Sequence, residues 1–386
     1  MKKIALVMAG LCAVLIGCSP ETDSGPAQTT PIVAVESMII PATASTGADF
    51  AAVGQAFQLD AQQNTRKMLA LCQTLNDDVD AFLATSEASQ RQAAQTSFRL
   101  CYQSWTANQL YFQLAFSPAD KKTLQPLLDL INTRPFLPGY IDSIPDYPYS
   151  GLIYEVDLPI NEGALLGQHR LMDEDSAALG FPVVEFFLWR QPIEATWHTT
   201  GDAVSDSLIE RRHQYLRTAT RRLKTDLGAV SARWNNDGEF AGLPQRVQLV
   251  AVLASLQRLT RVALLDELFN DQAVNEPEWH HPAMYSGQGR SYPLALLTAI
   301  QGWLGVPNGP TAFAQWLDSG ADRPVTLAAL QAGVADSISA VQQLPENYPA
   351  DSAADAQWAT ARQHISALAL AFSQLSEQQQ VPIFSQ

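Results

Sequence analysis

Positive charge is scarce in this 386-residue chain: 24 Lys and Arg stand against 39 Asp and Glu, a formal charge of −15. No basic run with interleaved aromatics occurs, which removes nucleic acid from the expected partners. Cysteine is rarer still, with four in all. Beyond the N-terminal segment no stretch reads as long and apolar enough to span a membrane. Common catalytic signatures are missing too. There is no H-E-x-x-H zinc helix, no G-x-S-x-G, no G-x-x-x-x-G-K-[ST] and no strand-led G-x-G-x-x-G. Strand-like alternation is nearly absent. What remains is 47% apolar residues, enough for a substantial core, in a length that suits roughly two domains.

The N-terminus carries an address. Lys2 and Lys3 precede an apolar run from Ile4 to Ile16 that is too short to cross a bilayer. Leu15-Ile16-Gly17-Cys18 resembles a bacterial lipobox. Residues 1–17 then form a signal peptide, and Cys18 becomes the lipid anchor. Ser19 follows, with no Asp, so the expected place is the bacterial outer membrane with the body facing the periplasm. The alternative is an ordinary secretory signal that contains a cysteine. Residues 18–46 are polar and rich in Pro, Ser and Thr, and read as a flexible tether.

Helical periodicity dominates the rest, and predicts an all-α fold of two tandem helical bundles, residues 47–192 and 193–386. Met68, Leu71, Cys72, Leu75, Val79 and Phe82 share one helix face, and Phe98, Cys101, Trp105 and Phe112 another. Cys72 and Cys101 stand at nearly equal distances from the polar turn between them. An antiparallel hairpin places them at one height, compatible with a disulfide in an oxidising compartment or with two buried thiols. A proline- and aromatic-rich loop runs from Arg134 to Tyr149.

Few residues carry chemistry. Glu210/His213 and Glu278/His281 match E-x-x-H, but the second lies in a proline-bounded loop, and Arg211 and Arg212 mark the first as a solvated face. His280 and His281 are adjacent imidazoles that suit a metal, or incidental residues of a surface loop. Glu185 is the lone carboxylate in the apolar run 179–189. Pro182 suits the first turn of a helix, which places Glu185 about one turn in, near the positive end of the dipole. Its bland reading is a structural bond to a Trp, Tyr or Arg where the bundles meet.

The run Gly180-Phe-Pro-Val-Val-Glu185-Phe-Phe-Leu-Trp189 resembles the G-x-H-x-x-E signature of imelysin-like proteins. The stretch Ala93–Phe116 around Trp105, and the turn from His281 through Ser286 leading into Leu304-Gly305, are similar to other parts of that family. The resemblance implies a periplasmic or outer-membrane protein of iron uptake, a family also filed among metallopeptidases, with its site where the bundles meet. Gly180 and Glu185 match the motif, but Pro182 replaces its histidine. Proline neither ligates a metal nor moves a proton. The first expectation is therefore a non-catalytic binding protein for iron or another divalent metal, with Glu185, His280, His281 and Ser286 at a cleft and an envelope protein as possible partner. A zinc-type metallopeptidase is the second, and a polysaccharide or haem carrier lined by residues 136–149 the third.

Overall fold

The computed structural model describes residues 31–34, 49–144, 147–189, 197, 201, 203–270, 281–283, 285–319, 325–348 and 355–379. The proposed signal peptide and Cys18 lie outside these.

Helix α1 (Asp49–Thr85) and helix α2 (Ala88–Ala107) form a hairpin closed by Ser86 at φ 55°. Val53, Phe57, Ala61, Thr65, Met68, Cys72, Leu75, Val79 and Phe82 recur at three- and four-residue steps and are all buried. The partner face of α2 buries Phe98, Cys101 and Trp105. Cys72 and Cys101 are disulfide-bonded across the hairpin, with Cα atoms 4.8 Å apart.

Next come β2 (Leu114–Ala115), α3 (Pro118–Asn132), α4 (Glu162–Gln168) and α5 (Phe181–Trp189). Ser117 caps α3 by accepting from Asp120 N–H at 3.0 Å, with Pro118 in the first turn, where a missing N–H costs nothing. The second half contributes α6 (Ala203–Ser231), α7 (Gln245–Arg258), α8 (Ser291–Trp303), α9 (Ala312–Asp318), α10 (Leu327–Gln342) and α11 (Asp355–Gln378). Helix α1 packs on α6, α7 and α9 as well as on α2, and the apolar core is continuous from Ile32 to Leu375.

Four readings need correction. Residues 31–34, inside the stretch read as tether, are fastened to the body. Val33–Ala34 forms strand β1, paired parallel with β2. Ile32 is buried, its N–H donates to Gln125 Oε1 at 2.9 Å, and Arg258 Nη2 donates to Pro31 O at 3.3 Å. Second, residues 245–266, where α7 runs on as a π-helix (Leu259–Asp266), do have the length and hydropathy of a membrane span. The stretch is a core helix instead, with 89% of its apolar window inside the protein.

Third, Arg211 and Arg212 are not on a solvated face. Arg211 donates to the carbonyls of Leu152, Ile153, Glu155 and Leu158, gathering acceptors of that loop. Arg212 pairs with buried Asp142 at 2.6 Å. A helix face that meets a loop rather than a helix needs donors, and periodicity alone does not show this. Fourth, the aromatic loop does not line one cleft. Phe136 fills the core beside Phe186 and Tyr285, while Tyr147 and Tyr149 face solvent.

Candidate functional site

The site begins at a glycine. Gly180 sits at φ +98°, and a Cβ there would lie 2.5 Å from the Leu130 carbonyl oxygen and 2.6 Å from that of Ile131. Only glycine lets the chain pass the end of α3 this closely and turn into α5. Pro182 is the second residue of α5, and Val184 N–H reaches back to Gly180 O at 3.3 Å. The helix buries every residue from Phe181 to Leu188, Glu185 included.

Glu185 Oε1 accepts the backbone N–H of Ser286 at 2.9 Å. Oε2 has no hydrogen bond among the described residues, and Arg134 Nη2 lies 3.8 Å from it. Arg134 is itself nearly buried, and its Nε and Nη2 lack hydrogen bonds. Burial raises the Glu185 pKa; Arg134, Ser286 and Arg99 oppose the shift. Burial also pulls on the Arg134 guanidinium, but Tyr102, Glu185 and Tyr292 outweigh it and hold its pKa above the ordinary value.

Ser286 is fixed on three sides. Its N–H goes to Glu185, its carbonyl accepts from Arg99 Nη2 at 3.0 Å, and its hydroxyl donates to Ala283 O at 3.3 Å. His281, at the head of the same loop, is fully buried. Its Nδ1–H donates to the Pro282 carbonyl at 2.7 Å, which leaves Nε2 a bare acceptor with no partner among the described residues. Burial pushes the imidazole down to about 3, with Arg134 acting in the same direction, so it is neutral at physiological pH. A carbonyl holding one ring nitrogen is the arrangement that orients a metal-binding histidine.

The structure thus joins Glu185 and Ser286 directly and sets both Glu185 and His281 in the field of Arg134. His280 lies outside the described residues. Trp189 closes α5 and stacks edge-on to Phe98, with Arg99 over its ring. His213, from the first E-x-x-H pair, packs on Trp197. Sequence reasoning missed Arg134, Tyr102 and Tyr292. The available signal was indirect: a carboxylate in an apolar helix demands a cation, and Arg134 opens the loop nearest the motif.

The residues fit a resident metal ion poorly. Glu185 Oε2 and His281 Nε2 are two free donors, whereas a stable site needs about four. No group of three or more His, Cys, Asp or Glu among the described residues is placed to hold a metal. Arg134 also repels a bare cation. The adjoining cavity, between Tyr102, Arg99, Ser286 and Tyr292, is about 10 Å³, room for about one water.

Comparison with known proteins places this geometry. The family model of imelysin, peptidase M75, matches residues 61–277, more than half of the chain. Among solved structures, an imelysin-like protein from Psychrobacter arcticum 273-4 aligns over 89% of this chain and 100% of its own, with TM-score 0.60 and 16% identity. A structure titled "a putative iron-regulated protein A precursor", from Parabacteroides distasonis ATCC 8503, aligns over 89% and 99%, with TM-score 0.56 and 13% identity. At such identities these two speak for the fold. No curated protein matches the chain.

Proposed function

Since the chain belongs to the imelysin family, we propose that it is a lipid-anchored, non-catalytic binding protein of the bacterial cell envelope that serves acquisition of iron or another metal. The observation that carries this reading is that Glu185 Oε2 and His281 Nε2 are both buried without a hydrogen-bond partner among the described residues, with Arg134 3.8 Å from the first and acting electrostatically on the second. Two donors suit a metal cargo that arrives with ligands of its own. The guanidinium suits anionic ligands such as carboxylates. Entry requires Ser286 to release Glu185. Cys18 would tether the body to the outer membrane, where an envelope partner can receive the cargo. The iron-regulated name of one structural neighbour supports the iron reading.

The metallopeptidase reading finds no ligand set among the described residues. Pro182 stands where the motif has histidine, and Glu185 has a guanidinium, not a second metal ligand, beside its free oxygen. A polysaccharide or haem carrier lined by the 136–149 loop has less support, because Phe136 is core.

Calorimetric titration of residues 19–386 with Fe(II), ferric citrate, Zn(II) and Cu(II) tests the proposal. The expected result is micromolar or tighter binding of ferric citrate, lost in Glu185→Gln and His281→Gln. Peptide hydrolysis abolished by a chelator would install the peptidase reading instead.

A further inference from the structure

Away from the Glu185–Ser286 contact, an open cleft of about 900 Å³ runs between α1, α2, α8 and α9. Its volume is that of an organic-ligand pocket rather than an ion site. Among the described residues its lining contains no Lys, Arg or His, and the one charged side chain is Asp60. No described residue there can neutralise a phosphate, sulfate or carboxylate.

Asp60 is built into the wall. Its Oδ1 accepts from Asn64 Nδ2 at 3.0 Å and its Oδ2 accepts from the Tyr111 hydroxyl, which also accepts from Asn64 at 3.1 Å. Both donors are neutral. Asp60 has no ion-pair partner among the described residues and sits in a half-buried position. Asn108 gives an independent sign of a missing ligand. It lines the cleft at 2% exposure. Its Nδ2 is spent on the Ser104 carbonyl at 2.8 Å, while its Oδ1 has no hydrogen-bond partner among the described residues. A buried acceptor left unpaired costs about 1–3 kcal/mol unless something donates to it.

The described lining therefore offers the Asp60 carboxylate and the unpartnered Asn108 Oδ1 as acceptors, and no cation. The rest of the described wall mixes neutral polar side chains, among them Gln63, Gln103 and Asn308, with apolar ones such as Leu59, Leu294 and Ala299. A low-dielectric cleft of one sign concentrates field lines, and the chain's overall charge of −15 adds to the attraction. We propose that this cleft is a second binding site, for an organic amine. A primary or secondary ammonium would donate to Asp60 and Asn108, with its aliphatic stem along Leu59, Leu294 and Ala299.

The test is titration of the mature chain with spermidine and with 1,8-diaminooctane at low salt, with maltotriose and citrate as neutral and anionic contrasts. The proposal expects both amines to bind, at least tenfold more weakly in Asp60→Asn and again more weakly in high salt. Ala299→Trp, which fills the trough, should abolish binding. A melting curve reports whether each variant folds, and the Asp60→Asn and salt comparisons decide if Ala299→Trp does not. Absence of amine binding, equal affinity in Asp60→Asn, or tighter binding of maltotriose or citrate would overturn the proposal.

Discussion

The backbone N–H of Ser286 donates to Oε1 of Glu185 over 2.9 Å, joining the α5 motif to a loop 101 positions later. With Arg134 3.8 Å from the other carboxylate oxygen, Glu185 is the knot between the two halves of the chain.

Removing that knot leaves two groups stranded. Glu185→Ala would strip the Ser286 N–H of its acceptor and leave Arg134 a buried charge without its partner. Breaking one side of a buried pair costs about 3–5 kcal/mol. The loss should appear as a lower midpoint in urea unfolding followed by circular dichroism. Glu185→Gln, which keeps an acceptor, should lose less.

Gly180→Ala should destabilise for a different reason. Its backbone sits at φ +98°, and the added methyl would meet the Leu130 carbonyl at 2.5 Å. An alanine forced into such strain costs of order 1–3 kcal/mol, before any displacement of α3. The same urea titration checks it, with Gly228→Ala as a control at an open glycine.

The disulfide closes a hairpin at a sequence separation of 29. Loop-closure entropy places its contribution at about 3–4 kcal/mol. Cys72→Ser with Cys101→Ser should lower the melting temperature by several degrees. Both sulfurs are buried, so reduction of the native protein should be slow without denaturant. Thiol labelling over time after addition of reductant measures that rate.

Histidine burial sets a pH dependence with a definite sign. His281 is held down to about 3, and His169 to about 4, both chiefly by burial. Below their ordinary value of 6.5 the unfolded chain takes up protons that the folded chain refuses. Their contribution to stability is present above that value and falls as the pH drops from there toward 3. Glu185, whose pKa is raised, acts in the opposite sense: its contribution is greatest at low pH and declines as the pH rises. Melting temperatures from pH 7 to pH 4 should therefore fall more steeply in the wild type than in His281→Gln.

Much of this was legible in the sequence because helical periodicity reports burial directly. The buried face of α1 is the face that Met68, Cys72, Leu75, Val79 and Phe82 mark. Gly180, Pro182 and Glu185 announce a turn, a helix start and a carboxylate in apolar surroundings, and the structure puts each there. Pairings between distant polar groups were not legible. Arg211 and Arg212 lie on a helix whose pattern says nothing about the carbonyls of 152–158 or about Asp142. Strand β1 is two residues long and owes its place to Arg258 and Gln125, from segments far along the chain. The Asp60 cleft is made by four helices meeting, and no local pattern encodes such a meeting.

The central claim is that Glu185 and His281 receive a metal cargo. Iron-edge X-ray absorption on protein loaded with ferric citrate and dialysed tests it most directly. The expected result is retained iron with an imidazole nitrogen in its coordination shell, and loss of that scatterer in His281→Gln. Identical spectra from the two proteins, or no iron retained by the wild type, would contradict it.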